Sequence, residues 1–240
     1  MTDEATLTAL SMEIREPVRT FADLVREAAG GLAQGLAVFG AAATGAFNPA
    51  TQTIRSVVVL ETIDLAALRR LAAHGTRLGK LRIAAPLMMT PKYIASSRDV
   101  FPLELFEIQQ CHVQVFGGDH FAELNFDNAH VRLQCERELK ATLIGMRQGL
   151  LATAGREKLL GTLEEDVIER LLRTLRGMLL LKGERKALPS DAVVMTVEQI
   201  LDRRLAGVRT ALDPRGPRTW DQFDTLYTDV AALGEAVDAW

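Results

Sequence analysis

Few stretches of this sequence combine residue types and spacing that suit chemistry. Gly40-Ala-Ala-Ala-Thr44-Gly45 is a small-residue turn placed directly after the apolar run Gly35 to Phe39. Such a turn lets backbone N–H groups approach a phosphate closely. It fits neither familiar phosphate fingerprint, because no lysine follows and the third glycine is missing. The same composition also makes an ordinary tight turn, so both readings stand. His120 beside Asp119, after Gly117-Gly118, offers a small acid/base pair or a plain surface loop. Cys111 and His112 are adjacent, point to opposite faces of a strand and so cannot chelate together. Lys182-Gly-Glu-Arg185-Lys186 and Arg203-Arg204 are basic clusters at expected helix ends. There they complement the helix dipole, or alternatively contact phosphate or RNA. No Gly-x-Ser-x-Gly elbow occurs, which disfavours an α/β-hydrolase.

The elements that would position these residues divide the chain in two. Residues 14–30 carry Ile14, Val18, Phe21, Leu24, Val25 and Ala28 at helical spacing, stopped by Gly30-Gly31. Gly35 to Gly40 and Ser56 to Leu60 read as buried strands. Ile63-Asp64 opens a helix reaching about Arg77. Leu81 to Met89, Leu103 to Gln109 and Val113 to Phe116 read as three further strands. Beyond residue 127 the spacing is helical: Leu139, Leu143, Met146 and Leu150, then Leu160 to Met178, closed by Gly183. Thr196-x-x-Gln199 and Thr219-x-x-Gln222 are capping-box patterns, each expected to open another helix. Four amphipathic helices with short connections predict an antiparallel bundle. Trp220 and Trp240 are expected to pack, or to sit at a dimer interface. The predicted domains are 1–127 and 128–240.

The order of elements in the first half resembles the nucleotidyltransferase superfamily, the polymerase-β-like group that includes kanamycin nucleotidyltransferase. An amphipathic helix leads to a strand ending in Phe39-Gly40. A small-residue turn closing on Gly45 follows, then Asn48-Pro49 and the Val57–Leu60 strand. Gly40-Ala41 stands where the family has Gly-Ser, and Gly45 matches its closing glycine. Val113-Gln-Val-Phe-Gly-Gly-Asp119 is similar to the family's strand ending in Gly-Glu-Asp. The resemblance covers about residues 14–125 and implies an α/β (α+β) fold: a mixed sheet with flanking helices, followed by an all-α bundle. It also implies a nucleotide site at Gly40, Ala41, Thr44, Gly45, Thr53 and Arg55. It places a third carboxylate at Glu104 as the candidate catalytic residue, with Glu107 structural.

The departures from the family carry the functional expectation. Its Asp-x-Asp metal motif would fall on Thr53 and Arg55. Nucleotidyl transfer needs Mg²⁺ held by carboxylate oxygens. Threonine is a poor ligand for a hard cation, and arginine adds a positive charge. Two unit charges about 4 Å apart at an effective dielectric of about 20 interact by about 4 kcal/mol, roughly doubled for a divalent ion. The expected protein is a catalytically impaired nucleotidyltransferase-fold chain. It would bind a nucleotide, a phosphate ligand or a protein partner in the interdomain cleft, without a metal. Arg55 either takes the metal's place as a bidentate phosphate partner or lies in solvent at the sheet edge. Glu104 is a locally bonded strand residue or a relic ligand. Two alternatives remain: an active transferase using Glu104, for which alone Mg²⁺ and a nucleoside triphosphate are implied, and a non-catalytic dimerisation or interaction module.

Composition bounds these expectations. The 240 residues are 48% hydrophobic and 25% charged, proportions of an ordinary globular protein. The net charge of −3 falls within residues 1–127, and the rest is balanced. That balance disfavours nucleic acid as a main partner. The helical half has only His130, without an arginine spaced before it as in HEPN ribonucleases. Two scattered cysteines read as free thiols of a reducing cytoplasm. Neither a signal peptide nor a membrane-length apolar run is found, so the expected location is cytoplasmic, with no membrane partner.

Overall fold

Two runs, Leu36-Ala-Val-Phe39 and Ser56-Val-Val-Val-Leu60, are apolar on both faces of an extended chain, which suits strands covered on both sides. Both become central strands of a four-stranded mixed sheet. The computed structural model describes residues 4–45, 47–50 and 52–240, the side chains of residues 4 and 5 excepted. By density of internal contacts the chain forms two units. The first is Met1–Arg98 with Leu105–Asn125, the second Asp99–Glu104 with Phe126–Trp240.

The elements up to residue 117 are α1 (Glu4–Leu7), α2 (Met12–Ala29), β1 (Ala33–Phe39), α3 (Ala41–Thr44), β2 (Arg55–Leu60), α4 (Leu65–Ala72), α5 (Gly75–Lys80), β3 (Leu87–Met89), α6 (Pro91–Ser96), α7 (Pro102–Gln110) and β4 (His112–Gly117). The sheet order is β3-β2-β1-β4. β1 runs antiparallel to β2 and β4, while β2 and β3 are parallel. The apolar face of α2, centred on Val18 and Phe21, joins Leu36, Val38 and Val58 in one core. Each such side chain contributes roughly 1.5–3 kcal/mol when fully buried.

Three expectations for this region need correction. The helix expected from Ile63 to Arg77 is two helices, α4 and α5, broken at Ala73-His74. Asp64 does open it, accepting from the Ala66 and Ala67 N–H groups at 2.9 and 3.2 Å. The strand expected over Leu81–Met89 shrinks to Leu87–Met89 plus one bridge between Ile54 and Ile83. Arg82 has φ +58°, outside extended conformation, and Pro86 has no N–H to donate. Leu103–Gln109 is helix α7, not a strand. Its apolar residues Leu103, Leu105, Phe106 and Ile108 are all buried, so neither period stands out, and a short apolar run of this kind is ambiguous. Pro102 at its first position and Glu104 in its first turn are the helix-start signals.

The second unit is helical: α8 (Asn128–Ala152), α9 (Leu160–Leu181), α10 (Ser190–Leu201), α11 (Ala206–Leu212) and α12 (Trp220–Asp238). Among the described residues there are thus five helices here rather than the expected four. The seven-residue α11 is too short for periodicity to reveal. Thr219 caps α12 as its pattern predicts, accepting from Gln222 N–H at 3.3 Å. Thr196 does not open a helix. It lies inside α10, its hydroxyl donating to Ala192 O at 2.8 Å. Lys182 lies 3.7 Å from the Trp240 ring centroid, fixing the terminal residue by a cation–π contact. No helix among the described residues is long and apolar enough to cross a membrane.

Charge holds α11 at both ends. Asp229 of α12 accepts from the Gly207 and Val208 N–H groups at 2.7 and 3.2 Å, supplying the cap that Leu205 lacks. Gln222 Nε2 donates to Gly207 O at 2.8 Å. At the other end the Arg218 guanidinium donates to the carbonyls of Thr210, Ala211 and Asp213, and to Glu164 Oε2 at 3.1 Å. The Arg218 charge also complements the C-terminal end of the helix dipole. Gly207 is required by contact, since a Cβ there would lie 2.3 Å from Leu226 N.

Burial pushes the Asp229 carboxyl above its ordinary range, against the pull of the two N–H donors and Arg203. The folded state therefore keeps its proton to higher pH than the unfolded chain. This contribution to stability is present at low pH and declines as pH rises from the ordinary carboxylate value through the raised one. Replacing Asp229 by Ala strands two buried N–H groups and should cost about 2–3 kcal/mol. Asp229→Asn keeps an acceptor and loses the titration. Its thermal midpoint relative to the native chain should rise as pH is raised through that window, read by calorimetric melting; a pH-independent difference would refute the assignment.

Candidate functional site

β1 and β2 are antiparallel, so the C-terminal end of one meets the start of the other. Phe39, the last residue of β1, pairs in register with Arg55, the first of β2. On its other side Phe39 pairs with His112, the first residue of β4. Residues opposite one another in a sheet share a face. Arg55 and His112 therefore flank Phe39 on one face, and the Arg55 guanidinium carbon lies 4.5 Å from the Phe39 ring centroid.

Each of these two basic residues has an acidic partner. Arg55 Nη1 and Nη2 donate to Glu107 Oε1 and Oε2 of α7 at 2.8 and 3.2 Å, a two-pronged ion pair. It is partly shielded, with the Arg55 side chain 36% exposed and that of Glu107 17%. His112 Nε2 lies 3.1 Å from Asp119 Oδ2, and its Nδ1 2.9 Å from Ile108 O. Burial opposes the Asp119 charge, but the Phe121 N–H, the His112 ring and the Ala122 N–H outweigh it and hold the carboxyl below its ordinary range. Of the two readings of Asp119 and His120, the acid/base pair between them is not formed: Asp119 pairs with His112.

The glycine turn lies beside Arg55. Gly40 has φ +71°, which disfavours any side chain, and its N–H donates to Cys111 O at 3.2 Å. A Cβ on it would stand 3.6 Å from Arg55 Nη1. Ala41 and Thr44 begin and end α3, with the Thr44 hydroxyl donating to Ala41 O at 3.2 Å, and Gly45 follows in the left-handed conformation. Thr53 is exposed, one residue before the bridged Ile54. Asn48 and Gln52 close the intervening turn through mutual hydrogen bonds of 2.9 Å.

Gly40 and Arg55 are therefore brought together, whereas Glu104 has other partners. It lies in the segment Asp99–Glu104 of the second unit. It accepts from Gln134 Nε2 at 2.7 Å and Arg173 Nη1 at 3.4 Å. The same Gln134 amide oxygen accepts from Leu103 N–H at 2.9 Å, tying down the first turn of α7. Glu107, expected to be structural, is the acid that pairs with Arg55.

These residues do not fit a Mg²⁺ site. Thr53 is neutral, Arg55 is cationic, and both Glu107 oxygens accept from a guanidinium. The strand beside β2 is β3, Leu87-Met88-Met89, which has no carboxylate. No Asp or Glu occurs anywhere between Asp64 and Asp99. Among the described residues no group of three or more His, Cys, Asp or Glu is placed to hold a metal ion.

No protein-family model matches the chain, and no curated protein matches it. Solved structures do. The crystal structure of spectinomycin adenyltransferase AAD(9) from Enterococcus faecialis, with ATP and spectinomycin, is similar at a TM-score of 0.57 and 11% sequence identity. The match covers 93% of this chain and 98% of that one. At this identity the likeness concerns the fold. A four-stranded mixed sheet, a glycine turn between its central strands and a helical region beyond them give this chain a nucleotidyltransferase-like fold.

Proposed function

We propose that this chain is a catalytically impaired nucleotidyltransferase-fold protein that binds a nucleotide or another phosphate ligand at the Gly40–Arg55 end of its sheet without a metal ion. The observation that carries this reading is Arg55. By the sequence resemblance it falls where the family has a metal-binding carboxylate, and in the structure it is ion-paired to Glu107 and stacked on Phe39. A fixed guanidinium there supplies the positive charge that a divalent cation supplies in an active relative, and it binds phosphate through paired N–H donors. Glu107 engages one donor pair and leaves other Arg55 N–H groups outside these two bonds. The neighbouring Gly40 has no side chain to bar a phosphate from them. The ATP named with the similar adenyltransferase structure favours a nucleotide as this ligand.

Without carboxylates to hold Mg²⁺, this end of the sheet lacks the divalent charge that activates an acceptor hydroxyl and neutralises a departing pyrophosphate in transfer. The reading is therefore of binding without transfer. Titration calorimetry with ATP should give the same dissociation constant with Mg²⁺ as with a chelator. Mg²⁺-dependent binding accompanied by AMP transfer would overturn it.

Glu107 competes with phosphate for the same guanidinium. Glu107→Gln should therefore tighten ATP binding by about tenfold, or 1.4 kcal/mol, while Arg55→Gln should weaken it by at least about as much. Unchanged affinity in both variants, with native-like melting, would remove Arg55 from the site.

A further inference from the structure

A concentration of arginine lies within the helical unit, at residues 203, 204 and 209. Where α10 ends and α11 begins, the surface folds into an open depression of about 570 Å³. Glu198, Asp202, Arg203, Arg204 and Arg209 supply its charges, and Met195 and Gln199 complete its wall. The depression is shallow and open, so a ligand there rests on its charged wall and stays partly in solvent.

The charges in this depression are unequally committed. Glu198 receives Arg209 through Nε at 2.9 and 3.0 Å and again through Nη2. One of its oxygens also accepts from Leu205 N–H at 2.7 Å. That acid is thus satisfied, and with Arg209 it forms a neutral pair. The Arg209 bond and burial act in opposite directions on Glu198, and the hydrogen bonds prevail, holding its carboxyl below the ordinary range. Asp202 takes the left-handed position that ends α10, with φ +47°.

Arg203 and Arg204 differ from Arg209. Among the described residues neither guanidinium has a hydrogen-bond or ion-pair acceptor. Only longer-range attraction, of Arg203 to the buried Asp229 and of Arg204 to Glu198, balances them. Both side chains nevertheless line the same depression. Three arginines against the two acids Glu198 and Asp202 leave the depression net positive, which favours an anion there. Guanidinium groups match the geometry of phosphate oxygens, and the half-exposed Met195 offers an apolar surface beside them. We infer that this depression is an anion-binding site for a small phosphorylated organic molecule, held by Arg203 and Arg204 with Met195 against its apolar part.

The test uses pyrophosphate as the probe and the full chain. Arginines are modified with phenylglyoxal, and the modified positions are read by peptide mass spectrometry. Millimolar pyrophosphate should slow modification of Arg203 and Arg204 together, while Arg215, exposed in the same unit, is modified at an unchanged rate. This readout separates the depression from any binding at Arg55, which is followed on its own peptide. In parallel, the double variant Arg203→Ala, Arg204→Ala should lose about tenfold or more in affinity for an organic phosphate such as glucose 6-phosphate. Both variant positions are exposed, so a native-like melting curve is expected, and the double variant Arg137→Ala, Arg215→Ala, at two other exposed positions of the unit, serves as the control for net charge. Equal protection of Arg215, or no protection of Arg203 and Arg204, would overturn the inference. So would an affinity unchanged in the double variant, or preferential protection by a short RNA over pyrophosphate.

Discussion

The ion pair between Arg55 and Glu107 is the constraint on which the sheet end depends. A guanidinium at the first position of β2 stacks on Phe39, which is 2% exposed, and stands against the Gly40 turn. Left alone there, it would carry a partly desolvated charge. Glu107 removes that cost with two parallel hydrogen bonds, which also fix the guanidinium plane. Fixing that plane aligns Arg55 over the ring. With no Cβ, Gly40 leaves its own side of the pair uncrowded. His112 and Asp119 repeat the pattern on the other side of Phe39. Both carboxylates at this end of the sheet, Glu107 and Asp119, are thus engaged by a neighbouring side chain.

The helical unit uses buried charge for a different purpose. Glu164 is fully buried and Asp229 is 4% exposed, yet each accepts from donors that only the fold brings to it. The seven residues of α11 are too few to form a stable helix alone. Its ends are satisfied from outside, by Asp229 and Gln222 at one end and by Arg218 at the other. Burial also pushes the Glu164 carboxyl upward against the attraction of Arg218, so charge there opposes stability as pH rises, as at Asp229. Arginine in this unit has two roles. Arg218 is absorbed into the core network, and the pair Arg203 and Arg204 is left facing a depression.

Where periodicity was strong, the elements were legible in the sequence. α2, α9 and α12 carry long apolar stripes bounded by glycine or a threonine cap, and their positions follow from that spacing alone. β1 and β2 follow from short β-branched or apolar runs between turns. The errors fall where tertiary burial erased the pattern. In α7 the residues Leu103, Leu105, Phe106 and Ile108 are all buried, which hides the helical period and made it read as a strand. α11 has no periodicity of its own and is stabilised by side chains from α12 and the chain before it.

The sequence by itself determined that no acidic residue lies between Gly45 and Leu60, since residue identity needs no coordinates. It also determined a mixed α/β first half and a helical second half, because hydrophobic period is a local property. Only the tertiary structure decided what those residues face. Arg55 meets an acid 52 positions away, and Asp119 meets His112 rather than its neighbour His120. Glu104 is taken up by Gln134 and Arg173. Such pairings follow from folding elements together, and the free energy of a charge depends on its partners and its burial, neither of which is written in the spacing of residues along the chain.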